Sequence, residues 1–159
     1  RALDGSDAVN TNGTRNVWVM NADGSGAIPL TKITATNATS SSPAWSPDGS
    51  KIAFDSSRAL NGSDAVNTNN TLNIWVVNAD GSGAIPLTKL TAIAADNIVG
   101  RWSPDGSRIV FDSSRALNGS DAANTNNTFN IWVVNADGSG AIPLTKLTAS
   151  GADCLFSNV

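Results

Sequence analysis

The sequence predicts an all-β protein assembled from tandem repeats, and three observations predict it. The chain repeats itself every 57 residues, turn formers replace helix formers in its composition, and short segments rich in Trp, Ile, Val and Phe alternate with Gly- and Pro-containing turns. The stretch Arg1-Ala2-Leu3 returns at Arg58-Ala59-Leu60 and again at Arg115-Ala116-Leu117, so two and three-quarter copies fill the 159 residues. All thirteen acidic residues are Asp, and Glu, Gln, Tyr and His are absent. Asp, Asn and Ser compete with helical hydrogen bonding through their short side chains, which favours short strands and tight turns.

Each copy holds four strand candidates. The first, Ser42 to Trp45 with its counterpart Val99 to Trp102, runs into Ser-Pro-Asp-Gly at Ser46 to Gly49 and Ser103 to Gly106. Pro presets φ and Gly accepts positive φ, so a hairpin follows. The second is Lys51 to Asp55, matched by Arg108 to Asp112, with the alternation of a strand that has one drier face. After a long polar loop comes the third, Asn73 to Val77, with counterparts from Asn16 and Asn130. It ends in the hairpin turn Asn-Ala-Asp-Gly-Ser-Gly. The fourth runs from Ala84 through Leu87 to Leu90.

Four short antiparallel strands per repeat describe a β-propeller blade, whose usual length is about 40 to 45 residues; the extra length sits in the loop Asn61 to Thr71, which leaves the blade core untouched. The single repeat domain 1–159 divides into a partial blade with strands three and four (1–41), full blades at 42–97 and 98–149, and the start of a closing blade (150–159). Propellers need about four to eight blades to close, so about three leave open edges. Three outcomes follow: self-association into a ring of about six blades, end-to-end stacking, or membership of a longer polypeptide.

The motifs Pro-x-Trp-Ser-Pro-Asp-Gly-Ser-x-Ile, Asn-Ile-Trp-Val-Val-Asn-Ala-Asp-Gly-Ser-Gly and Pro-Leu-Thr fall at Trp45 to Ile52, Asn73 to Gly83 and Pro86 to Thr88, and again in the third copy. They resemble the TolB-type propeller repeat, a WD-repeat-like family, over nearly the whole chain. The resemblance implies a periplasmic, cell-surface or secreted propeller used for protein binding or as an accessory domain, and implies no reaction. The third copy departs from the pattern where Asp96 to Arg101 replaces the expected Ser-Ser-Pro-Ala before Trp102, and the end from Ala152 to Val159 departs further.

Composition excludes several classes of function. Ten basic residues spread singly in a chain of net charge −3 lack the footprint of a nucleic-acid binder. No apolar run is long enough to insert in a bilayer as a helix, and no charged-then-apolar leader opens the chain, so an export signal would already have been removed. Without His there is no Ser-His-Asp or Cys-His catalysis, and the Asp residues offer no pair with separated pKa values; the chain reads as no enzyme. Asp23, Asp48, Asp80, Asp105 and Asp137 each precede Gly in a turn, where Asp bonds nearby backbone N–H groups. Cys154 has no internal partner and reads as a buried, inert thiol.

The polar loop is the best candidate for a specific site. Asp7, Asp64 and Asp121, with Asn10, Asn67 and Asn124, recur at close spacing and supply the oxygen ligands that calcium takes, in a structural role. Against calcium stand the one or two carboxylates per loop and the absence of a bidentate Glu; the competing reading is a network of Asx turns, and no other cofactor is implied. Sequons at Asn12, Asn37, Asn61, Asn69, Asn118 and Asn126 permit glycans but follow from composition. The tryptophans recur at fixed places, Trp18, Trp75 and Trp132 in the third strand and Trp45 and Trp102 in the first, so they read as packing between blades rather than sugar-stacking faces.

The expected function is therefore non-catalytic: a binding or scaffold propeller outside the cytoplasm whose partner is a protein, a glycan or itself. The alternatives are a structural subunit polymerising through open blades into a surface fibre, and an accessory propeller of a larger secreted enzyme.

Overall fold

The computed structural model describes residues 12–93, 95–120 and 122–155, which form ten strands in three antiparallel sheets with no helix among them. Among the described residues β1 (Trp18–Val19) and β2 (Ile28–Pro29) form a two-stranded sheet. β3 (Ser40–Trp45), β4 (Lys51–Ser56), β5 (Asn73–Asn78) and β6 (Ile85–Pro86) form a four-stranded meander in chain order. The third sheet repeats it with β7 (Asn97–Trp102), β8 (Arg108–Ser113), β9 (Asn130–Asn135) and β10 (Ile142–Pro143). Four-stranded antiparallel blades at a 57-residue spacing are thus present, as the repeat pattern predicts. No helix among the described residues is long and apolar enough to cross a membrane.

The turns form where Gly supplies positive φ. Gly49 (φ 71°) donates to Ser46 O at 2.9 Å and closes the β3–β4 hairpin, and Gly81 (φ 86°) donates to Asn78 O at 2.8 Å beyond β5. The central pair β4–β5 runs in unbroken register from Lys51↔Asn78 to Ser56↔Asn73, placing Phe54 opposite Trp75; β8–β9 does the same with Phe111 opposite Trp132. The first strand of each four-stranded sheet bulges at the same place. Ser42 at φ 52° and Pro43 bulge in β3, and Gly100 is the extra residue in β7. A Cβ at Gly100 would lie 2.7 Å from Val110 O, which is why the altered stretch before Trp102 carries glycine there.

The fourth strand is shorter than the pattern suggests. Only Ile85–Pro86 pairs with β5, because the chain then leaves the ladder and a side chain takes over. Ile74 N–H donates to Thr88 Oγ1 at 2.9 Å, and the Asn73 amide pairs with Leu90, accepting from Leu90 N at 2.7 Å and donating to Leu90 O at 3.0 Å. Asn130 holds Leu147, and Asn16 holds Ile33, in the same way. The Asn that opens each Asn-x-Trp-Val motif is thus a structural clamp.

The core lies between sheets rather than within one. Val17 and Leu30 of the first sheet pack with Ile52, Phe54, Trp75 and Val77 of the second, whose other face (Ala53, Ile74, Val76, Leu87) packs with Ile109, Phe111, Trp132 and Val134 of the third. Period-two alternation divides the strands of the second sheet between these two interfaces, so β4 and β5 are buried on both sides. The outer tryptophans divide. Trp102 is half-buried and donates its indole N–H to Ala44 O of the preceding sheet at 3.0 Å, whereas Trp45 is 51% exposed, so packing between blades holds for Trp102 and not for Trp45.

Candidate functional site

The long loop after β4 is built around a buried arginine. Arg58 lies over the face of the fully buried Trp75, 5.0 Å from the ring centroid, and its Nη2 donates to Gly62 O and, at 3.2 Å, to Asp64. Arg115 lies over Trp132 at the same 5.0 Å and donates to Gly119 O. A guanidinium stacked on an aromatic face keeps its in-plane donors free for carbonyls, so one side chain ties the loop to the blade core. Burial lowers the Arg58 pKa, and Asp64 offsets part of that shift.

Asn67 closes the loop's far end. It accepts from Thr71 N at 2.9 Å and donates to Thr71 O at 2.7 Å, while Asn67 N donates to Ser57 O at 2.8 Å; Asn124 repeats these bonds with Thr128 and Ser114. Asx turns open the loops, where Ser63 N donates to Asn61 Oδ1 and Ser120 N to Asn118 Oδ1, each at 3.0 Å. Of the residues expected to hold calcium, Asp64, Asn67 and Asn124 are placed, whereas Asp7, Asn10 and Asp121 lie outside the described residues. The Asp64 carboxylate faces the Arg58 guanidinium and the Lys32 N–H, and the Asn67 carbonyl faces Thr71 N–H. Among the described residues no three His, Cys, Asp or Glu side chains gather as a metal site.

The same loops wall a pair of clefts. One, of about 290 Å³, lies between Leu60, Val66 and Asn69 on the loop and Leu90 and Thr91 beyond β6; its counterpart, of about 260 Å³, uses Leu117, Ala123, Asn126, Leu147 and Thr148. The linings correspond at 57-residue spacing, and among the described residues neither contains a charged side chain. Asn69 bridges its walls by donating to Thr91 O, and Asn126 does so to Thr148 O. Such a surface offers apolar contact and amide hydrogen bonds, which suits an uncharged side chain or backbone of a partner. The sequons at Asn69 and Asn126 therefore fall on amides already committed to bridging the cleft.

The Asp-Gly turns are as the pattern predicts. Ser46 Oγ, then Ser50 N–H and Oγ, hold the Asp48 carboxyl down to about 2, and Ser103 and Ser107 do the same at Asp105. Asp23, Asp80 and Asp137 are lowered by the serine two residues on. Sequence reasoning missed two buried acids, Asp55 and Asp112, the second-last residues of β4 and β8; Asp55 accepts from Ser41 Oγ across the sheet. The signal was their place in a strand rather than before a glycine. Cys154 is half-buried and unpaired.

Face-packed four-stranded meanders, each feeding the next through one repeated path, define part of a β-propeller. No protein-family model matches the chain. It is 40% identical over 105 residues to the Tol-Pal system protein TolB of Anaeromyxobacter dehalogenans, over 66% of this chain and 19% of that protein. It is 29% identical over 115 residues to a Bacillus subtilis protein named uncharacterized peptidase YuxL, over 72% of this chain and 15% of that protein. Among solved structures it superposes on a putative TolB from Agrobacterium tumefaciens with TM-score 0.60 and 23% identity, covering 89% of this chain and 40% of that one. The chain has the fold of part of a β-propeller and is similar to TolB proteins, and it spans 19% and 15% of the lengths of the two curated relatives.

Proposed function

We propose that the chain is a non-catalytic β-propeller module of the bacterial cell envelope that binds a protein partner through its loop clefts and completes its propeller by self-association. The observation that carries the reading is the same uncharged, amide-rimmed cleft built twice at the repeat spacing. Repetition of a binding surface suits a partner with repeated contacts, where two weak contacts combine into one stronger one. The relative named for the Tol-Pal system supports an envelope setting outside the cytoplasm, in the periplasm or at the surface. A second reading, an accessory propeller of a larger enzyme, is favoured by the peptidase-named relative.

The test places a photoreactive residue at Thr68 or Thr125, on the two cleft-forming loops, and as a control at Ser50 on a hairpin turn. Crosslinking of one envelope protein from both clefts and not from Ser50 supports the proposal; crosslinking from Ser50 alone refutes it. The proposed calcium role of Asp64 and Asn67 is tested separately, by melting the chain with millimolar calcium and with a chelator. Calcium must displace a guanidinium from Asp64 to bind there, so a melting temperature that does not move refutes the role.

A further inference from the structure

Three Asn-Gly pairs occur in the chain, Asn12-Gly13, Asn61-Gly62 and Asn118-Gly119. At such a pair the glycine nitrogen, unhindered by a side chain, can attack the carboxamide of the asparagine before it. The fold treats the three differently. Asn61 and Asn118 are exposed at the start of the two long loops, and each accepts the Asx-turn hydrogen bond, from Ser63 N and Ser120 N, on Oδ1 at 3.0 Å. That bond draws electron density from the carboxamide carbon and folds it back over the Gly62 or Gly119 peptide. Both glycines have φ 83°, and a Cβ at either would meet no atom within 4 Å, so the closing ring has room. The Asn12 amide is tethered instead, its Nδ2 donating to Thr34 O at 2.7 Å.

The Asp-Gly turns offer the same nucleophile without the same electrophile. Ser46 and Ser50 hold the Asp48 carboxyl down to about 2, and Ser103 and Ser107 do so at Asp105. Serine also lowers Asp23, Asp80 and Asp137. At neutral pH these groups are carboxylates, whose carbon resists attack.

We propose that Asn61 and Asn118 are sites of spontaneous deamidation, at which each cleft exchanges a neutral amide for a carboxylate as the protein ages. Gly62 N gives up its proton to water, its lone pair bonds to Asn61 Cγ, the Cγ–Nδ2 bond breaks and ammonia leaves. Water then opens the cyclic imide at either carbonyl. One opening leaves aspartate; the other leaves a β-linked chain with an extra main-chain carbon ahead of Gly62, whose carbonyl Arg58 holds. Asn61 and Asn118 line the two clefts, so an uncharged wall becomes anionic. The first copy has Asp4-Gly5 at the equivalent place, a carboxylate the repeat already uses. The chemistry needs no partner, and it stands whether or not the clefts bind one.

The experiment ages the folded chain at mildly alkaline pH beside the same chain unfolded in guanidinium chloride, and follows both by anion exchange and peptide mass spectrometry. Ring closure breaks the Gly62 N bond to Ala59 O at 2.9 Å, or the Gly119 N bond to Ala116 O at 3.0 Å. One hydrogen bond slows the folded chain roughly fivefold against the unfolded one. The expected result is acid product in both linkages at Asn61 and Asn118, ahead of Asn12, with the linkages at Asp48 and Asp105 unaltered. The double variant Asn61→Gln with Asn118→Gln loses the new acidic peaks, because the longer side chain closes a larger ring slowly. Slowing of about a hundredfold or more at Asn61 and Asn118 in the folded chain overturns the proposal, since the fold then locks the amides. Conversion at Asn12 first, or acidic peaks that persist in the double variant, overturns it as well.

Discussion

Replacing Asn73 with alanine removes the amide that stands in for the missing end of the fourth strand. Asn73 is fully buried, accepts from Leu90 N at 2.7 Å and Thr88 Oγ1 at 3.0 Å, and donates to Leu90 O at 3.0 Å. Leu90 and Thr88 are themselves 1% and 2% exposed, so water does not reach the groups left behind. An intramolecular hydrogen bond contributes about 1 kcal/mol net, and a buried group stripped of its partner costs about 1–3 kcal/mol. Asn73→Ala leaves the Leu90 N–H and C=O unpaired together, so the expected loss is roughly 3–5 kcal/mol, a large share of the total stability of a domain. At about 2–4 °C per kcal/mol, the melting temperature falls by on the order of 10 °C. The assay is urea and thermal unfolding followed by tryptophan fluorescence, with Asn78→Ala as control. Asn78 donates to Ser82 Oγ and accepts from Lys51 Nζ at an exposed turn, and its loss costs about 0.5 kcal/mol. A loss at Asn73 below about 1 kcal/mol, or equal to that at Asn78, would refute the clamp.

The remaining predictions concern the loop, the bulge and acid. Arg58→Met keeps an apolar stem over Trp75 but releases the loop carbonyls, costing about 2–3 kcal/mol and shifting tryptophan emission; Asp64→Asn, at a side chain 45% exposed, costs less than about 1 kcal/mol. Equal losses from the two substitutions in unfolding titrations would show that the ion pair, not the stacked guanidinium, holds the loop. Gly100→Ala drives a methyl against the Val110 carbonyl at 2.7 Å and costs about 2 kcal/mol or more, read as a lower urea midpoint; an unchanged midpoint would remove the steric account of the bulge. The carboxyls of Asp48 and Asp105 are held at about 2, below their ordinary value of 3.8. Their stabilisation is therefore present above the ordinary carboxylate range and is lost as pH falls from about 4 toward 2. The double variant Asp48→Asn with Asp105→Asn flattens that acid limb of the stability curve, and an unaltered limb would place the acid sensitivity elsewhere.

Much of the fold was legible in the sequence. The 57-residue period, the Ser-Pro-Asp-Gly hairpins and the Asn-x-Trp-Val strands fix local geometry through φ preference and alternation, which act over a few residues and read the same in each copy. The loop's Asx character was legible for the same reason. Its clefts were not, because they need Leu90 and Thr91 from beyond β6 to form the opposite wall.

The Asn73 clamp escaped the pattern because its partner lies 17 residues on, outside any local signal. Arg58 and Arg115 were visible only as repeat markers until the tertiary structure set them on Trp75 and Trp132.

The sequence by itself determined the blade: four strands, their turns and the side chains that alternate on each face. Only the tertiary structure decided which copy of a repeated residue is covered. Leu87 and Leu144 are the same residue in the same motif, yet one is buried and the other is open, and Trp102 finds a carbonyl on the preceding blade where Trp45 stands exposed. The physical reason is that propeller burial occurs between blades. Local sequence specifies a surface, and its covering depends on the neighbour that packs against it.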